Sequence, residues 1–203
     1  MSQIKLKHSG GNSVIIAAPD SNPASDRTLK LPSDGDGTIL TTNSSVGKIL
    51  QYKIFKKTNG ISSTNTTQHE MTSDFRIEIT PTSATSIIVI NAELYLSSNQ
   101  GGTSYTLRIV KNTASDFSGT LTNIMPPDIF SSNSDGHIVD YSTTPRMGSA
   151  SMRVFETSGN TTTRTYGIYW RISTTSGGIV YLNRYSGTNY NGVSTFSVME
   201  VAA

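Results

Sequence analysis

The chain contains no cysteine. Disulfide staples, thiolate metal sites and cysteine nucleophiles are therefore excluded. Charge is also scarce. Asp, Glu, Lys and Arg make up 15% of the 203 residues, and the formal net charge is only +2. The basic residues are scattered, and Lys56-Lys57 is their one adjacent pair. No basic stripe offers a track for phosphates, so nucleic-acid binding is not expected. No apolar run approaches the roughly 18 residues that a membrane helix needs, so membrane insertion is not expected either. The opening MSQIKLKHSGGNSV has no apolar centre of the kind a secretion signal carries.

Catalytic and metal signatures are equally thin. His8, His69 and His137 have no metal-ligand spacing among themselves. There is no G-x-S-x-G elbow to present a serine nucleophile. The acids are few, and Glu78, Glu93, Glu200 and Asp34 fall in strand alternation or in turns. Asp34-Gly35-Asp36-Gly37 offers two carboxylates but no bidentate acid further on, so it reads as a tight turn and not as a calcium loop. No repeat of 20–30 residues marks a β-helix. The sequence implies no enzyme and calls for no cofactor.

What the chain does have is hydroxyls: 30 Ser and 28 Thr. Thr favours strands, while Ser, Asn and Gly favour turns. Nine Tyr, six Phe and one Trp, with almost no net charge, argue against disorder. The composition predicts an all-β protein rich in loops.

The chain divides near residue 47. Residues 1–46 carry short runs, Gln3–Lys7, Ser13–Ala17, Arg27–Leu31 and Thr38–Thr41, separated by Gly, Pro, Asn and Asp turns. Strands so short bury little surface alone and are expected to lean on neighbours or on other copies of the chain. From residue 47 to 203 the runs lengthen and alternate. Leu50, Tyr52 and Ile54 alternate with Gln51 and Lys53; Phe75, Ile77 and Ile79 with Arg76 and Glu78; Tyr105, Leu107 and Ile109 with Thr106 and Arg108. Tyr166, Ile168, Trp170 and Ile172 do the same near the end. A period of two predicts antiparallel strands with the apolar set buried, and Trp170 in the core. Eight to nine such strands with Gly and Asn turns predict a jelly-roll-like antiparallel β-sandwich over 47–203. Residues 113–148 are the least regular stretch and read as a long surface excursion. Two runs break the alternation, Ile87–Ile90 and Val198–Val201. A strand apolar on both faces needs cover on both, from a second sheet or another subunit.

The candidate contact residues lie in the loop Arg184–Asn191. Tyr185 and Tyr190 flank Ser-Gly-Thr-Asn, with Asn189 beside them. Exposed tyrosines among Asn, Ser and Gly suit recognition of a glycan or a protein, since each has a flat apolar face and a hydroxyl. Packing against the sandwich edge or a neighbouring subunit is the competing role for these rings.

Two stretches resemble bacteriophage tail-fibre proteins, those of cyanophages and other marine phages above all. The first is Val14–Thr42, with Asp-Arg-Thr-Leu-Lys-Leu-Pro followed by Asp-Gly-Thr. The second spans about 49–203. It includes Ile-Thr-Pro-Thr-Ser-Ala-Thr-Ser-Ile-Ile-Val, within Phe75–Ile90, and the closing Tyr-Leu-Asn-Arg and Val-Met-Glu-Val-Ala of Tyr166–Ala203. The resemblance implies a homotrimer on the virion surface, assembled in the host cytoplasm. Residues 1–46 would interlock the chains and attach to other virion proteins, and the sandwich would form a knob facing the host surface. The chain differs from a long fibre in having no shaft and no coiled-coil heptads, which leaves room for a capsid- or baseplate-borne decoration fibre.

Overall fold

The computed structural model describes residues 3–7, 9–17, 47–99, 103–125, 137–141, 147–172, 178–185 and 188–203. The chain separates into two compact units, Met1–Asn43 and Ser44–Ala203. In the first, β1 (Gln3–Lys7) and β2 (Ser13–Ala17) form an antiparallel hairpin, closed by a turn in which Gly11 takes φ 99°. Both runs were readable as strands. The runs Arg27–Leu31 and Thr38–Thr41, and the turn at Asp34–Gly37, lie outside the described residues.

The second unit is an all-β sandwich. Its strands, in order, are β3 (Ile49–Lys57), β4 (Ile61–Ser63), β5 (His69–Glu70), β6 (Ile77–Ile79), β7 (Ile87–Ser98) and β8 (Thr103–Asn112). Then come β9 (Thr122–Asn123), β10 (His137–Tyr141), β11 (Gly148–Thr157), β12 (Arg164–Ile172), β13 (Val180–Leu182), β14 (Arg184–Tyr185), β15 (Thr188–Asn191) and β16 (Ser194–Val201). Many of these are fragments of one pass of the chain. β3 continues as β4, β5 as β6 around the 3-10 turn Ser73–Phe75, and β13 as β16; β9 and β10 both pair with the same edge of β8 and are counted together. Among the described residues this makes eight passes, and all pair antiparallel.

In one sheet β16 and β13 lie between β3/β4 and β7, with β11 on the other side of β7. In the other, β12 lies between β5/β6 and β8, and β9/β10 border β8. In order of passes the sheets read 1-8-3-6 and 2-7-4-5. That is the strand order of a jelly roll, with the first and last passes side by side. The alternation explains the core between them. Ile88, Ile90, Leu94 and Leu96 of β7, Phe196 and Val198 of β16, Tyr105, Leu107 and Ile109 of β8, and Tyr166, Ile168 and Trp170 of β12 are all buried. Phe75, Ile77 and Ile79 join them.

One expectation is reversed. The apolar set of β3 was expected to face inward. Phe55 pairs with Phe196 and Lys57 with Ser194, so Gln51, Lys53, Phe55 and Lys57 share the inner face, while a register shift at Glu200/Val201 leaves Ile49 outward. Tyr52 and Ile54 point outward, each 56% exposed. The inward polar residues are all used. Gln51 donates to Glu200 Oε2 at 2.7 Å and to the Thr80 carbonyl at 2.6 Å, Lys53 donates to the Glu78 carbonyl at 2.6 Å, and Lys57 pairs with Asp74 at 2.6 Å. The pass is an edge strand, and its long polar side chains stitch that edge to the residues around the second pass. Periodicity alone cannot see this, because it scores which side chains match each other and not what waits opposite them.

Candidate functional site

The facing side chains of the two sheets form one core, and loops at the ends of the passes offer places for a ligand. β7, β11, β8 and β12 all end or start at one end of the sandwich, at Ile87, Thr157, Asn112 and Arg164. There the two sheets part around an open cleft of about 320 Å³ lined by Lys111, Asn112, Thr113, Thr120, Thr122, Ser158, Asn160, Thr162, Thr163 and Arg164.

The floor of the cleft is a charged network held between the sheets. Lys111 Nζ lies 2.6 Å from Glu156 Oε2, and the Tyr166 hydroxyl donates to Glu156 Oε1. Burial, and then the Glu156 carboxylate, push the Tyr166 pKa well above the ordinary phenol value, so the ring stays a neutral donor. Arg164 is spent on the loop 158–163. Its Nη1 donates to the Ser158 carbonyl at 2.7 Å, and its Nη2 donates to Asn160 Oδ1 at 2.6 Å and to the Asn160 carbonyl at 3.0 Å. One carboxylate against two cations leaves the floor with a net positive charge. Above it stand hydroxyls and amides. This chemistry suits a hydroxyl-rich or weakly anionic molecule held by several modest hydrogen bonds. None of these residues was singled out in the sequence. Their Thr-rich triplets, Thr161-Thr162-Thr163 above all, look there like any other loop of this hydroxyl-rich chain.

Beside the cleft the chain folds back over the outer face of the second sheet. Asn112 organises the return, its Oδ1 accepting from the Ala114 amide at 2.7 Å and its Nδ2 donating to the Gly119 carbonyl at 2.8 Å. Phe117, at φ 62°, lies on Gly167, where a Cβ would come within 2.7 Å of the ring. The Arg76 guanidinium stands 5.4 Å from the Phe117 ring centre and is itself held by both oxygens of Glu70. The first part of the irregular segment is thus a docked cover.

Tyr185 lies at the opposite end of the sandwich. The last pass leaves its sheet at Asn183, a non-glycine at φ 57°, makes the hairpin β14–β15, and rejoins at Gly192. Asn183 is fully buried and holds both departures. Its Nδ2 donates to the Lys57 carbonyl at 2.8 Å, its Oδ1 accepts from Ser194 Oγ at 2.6 Å, and its carbonyl accepts from the Gly192 amide at 3.0 Å. Ser97 Oγ donates to the Arg184 carbonyl, and the Arg184 guanidinium stands 5.5 Å from the Tyr181 ring centre. The expected loop Arg184–Asn191 is therefore a hairpin raised on the outer face of the first sheet. Tyr185 is half-buried and pairs with Thr188. Asn189 and Tyr190 lie on β15, where the backbone alone is described.

His69 makes the other arrangement with chemical interest. Its Nδ1 contacts the Thr67 carbonyl at 2.9 Å, and its Nε2 lies 3.0 Å from Ser63 Oγ. A carbonyl only accepts, so the neutral ring carries its proton on Nδ1 and the serine donates to Nε2. The group behind the imidazole is a carbonyl and not a carboxylate. The same Ser63 oxygen also accepts from the Asn65 amide at 3.1 Å, which makes the pair a clasp on the 63–69 turn. Among the described residues no three His, Asp or Glu side chains converge on one point. His8 lies outside the described residues, and so does the side chain of His137.

No family model matches the chain, and no curated protein matches it. Solved structures are similar to it at low identity. The VP2 subviral particle of infectious bursal disease virus aligns over 94% of the chain at 14% identity, with a TM-score of 0.37. The infectious bursal disease virus Gx strain aligns over 94% at 15% identity, with a TM-score of 0.34. In both cases this chain spans 46% of the other's length.

Proposed function

We propose that this chain is a virion structural protein, a homotrimeric bacteriophage fibre whose jelly roll contacts the host cell surface. The observation that carries the reading is the jelly-roll pass order, 1-8-3-6 over 2-7-4-5, in a chain whose early and closing strands resemble phage fibre heads. Jelly rolls serve capsids and lectins, and a sandwich with polar loops at its ends suits surface recognition. Residues 1–46 attach the chain to other virion proteins and help to hold the copies together. The role is binding and construction, not catalysis.

Two places offer contact with a host glycan or protein. The hairpin with Tyr185, Asn189 and Tyr190 stands at one end, and the Thr-rich cleft over Lys111 and Arg164 at the other. Adsorption of the purified full chain to host cells, with glycan-array binding beside it, tests the reading. Tyr185→Ala and Tyr190→Ala are expected to leave the protein folded and weaken adsorption about tenfold or more, as loss of an aromatic anchor does. Thr162→Ala is the matching change in the cleft. Unfolding of the tyrosine variants assigns those rings to packing. Absence of any surface binding, with particle assembly that requires residues 1–46, assigns the chain to decoration or assembly instead.

A further inference from the structure

The two runs that break the strand alternation turn out to be neighbours. Val201 pairs with Ile87 and Met199 with Val89, across β16 and β7. The register extends the rows to both edges. Tyr52, Met199, Val89 and Phe155 form one row across all four strands of the outer face, and Ile49, Val201, Ile87 and Thr157 form the next. Ile54 stands beside them. Of these, Phe155 is 61% exposed, Ile49 58%, Tyr52 and Ile54 56% each, and Ile87 40%. This is the face that β3 turns outward against its expected orientation.

Five large apolar side chains about half exposed, at roughly 200 Å² each, leave about 500 Å² of contiguous apolar surface. That lies near the upper limit for a soluble monomer. A specific interface takes about 800 Å² from each partner, and about 65% of it is apolar when the partner is a copy of the same chain. The product is again about 500 Å², so the patch has the size of a homo-oligomer core. The bordering rows supply a rim. Arg153 donates to Asn91 Oδ1 at 2.7 Å, Ser151 donates to Glu93 Oε1 at 2.6 Å, and Lys56 pairs with Thr195. A rim carrying both signs of charge can lie against another copy of the chain without net repulsion.

We infer that the outer face of the 1-8-3-6 sheet, centred on Tyr52, Met199, Val89 and Phe155, is the surface on which a second copy of this chain packs. The inference takes its occupant from the proposed homo-oligomer, but the two can fail separately. The chain has no cysteine, so single thiols can report the contact. Tyr52→Cys and Phe155→Cys, made together in the full chain, are expected to cross-link between copies with a short bismaleimide, with a yield independent of protein concentration. Leu121→Cys, on an exposed apolar residue of another loop, is expected not to. Separately, Tyr52→Lys with Phe155→Lys is expected to keep the far-UV spectrum and to weaken self-association by about 30-fold or more in sedimentation. The inference is overturned by a wild-type chain that sediments as a monomer at about 100 µM. Cross-linking no better than that of Leu121→Cys overturns it as well, and so does unchanged association of the lysine variant. An oligomer broken by the lysine pair that binds no host cell keeps the interface and removes the attachment role.

Discussion

Glu200 shows how much one side chain settles in this fold. It is fully buried, and neutral donors from Thr82 and Gln51 hold its carboxylate. Its Oε1 accepts from the Thr82 amide at 2.7 Å and the Thr82 hydroxyl at 2.8 Å, and its Oε2 accepts from Gln51 at 2.7 Å. Burial pushes its pKa up, but the donors of the 82–86 turn and Gln51 outweigh burial and leave it below the ordinary carboxylate value. A depressed folded pKa stabilises the protein above the unfolded value of 4.5, and that contribution is lost as pH falls through the folded pKa. Glu200→Gln puts an amide donor against donors and is expected to cost about 1–3 kcal/mol at neutral pH. The gap from wild type should be smaller in acid, as pH falls below 4.5 through the lowered folded pKa, than at neutral pH. Denaturant unfolding at both pH values checks this, and an equal gap at both would refute it. Nothing in the sequence marks Glu200. It looks like a surface acid interrupting an apolar strand, because its donors come from residues more than a hundred positions away.

At the scale of elements, two insertions on the sandwich depend on single contacts. The cover that starts at Asn112 rests on Phe117, which occupies the space a side chain at position 167 would take. The backbone of Gly167 needs no special φ, so the demand is one of volume. Gly167→Ala should lift the cover and cost about 1–3 kcal/mol, the range for overpacking. In a Phe117→Ala background the same change should be close to neutral, since the clash is gone. A double-mutant cycle in thermal unfolding measures the difference, and additive effects would show that the ring does not pack on that glycine. The hairpin β14–β15 hangs on Asn183 in the same way. Asn183→Ala removes one buried donor and one buried acceptor and strains φ, so about 2–4 kcal/mol is expected. Asp at this site keeps the acceptor for Ser194 and should recover part of the loss. The sequence marked 113–148 as irregular and Arg184–Asn191 as a loop. It could not show that one lies over a sheet and that the other splits a strand in two.

For the molecule as a whole, the pass order makes the last strand central. β16 lies between β3 and β7 and contributes Phe196 and Val198 to the core. The Ala202 amide and carbonyl bond to Lys48 and Gly47, at the start of the first pass. Each buried Phe or Val contributes about 1.5–3 kcal/mol, and a domain has only about 5–15 kcal/mol in total. A chain ending at residue 193 should therefore show no cooperative melting transition by circular dichroism, while loss of Ala203 alone should change little. A sharp transition in the shorter chain would contradict the central placement.

The sequence by itself determined the all-β class, the strands with strict alternation, the core around Trp170 and the absence of cysteine chemistry, because each of these follows from local composition and period. It also marked Ile87–Ile90 and Val198–Val201 as apolar on both faces. The tertiary structure alone decided three further matters. It set the two runs side by side, turned Tyr52 and Ile54 of β3 outward beside them, and gathered Lys111, Glu156 and Arg164 at one end of the sandwich. The physical reason is the same in each case. A strand's period fixes which side chains share a face, whereas pairing across long sequence separations fixes what that face meets.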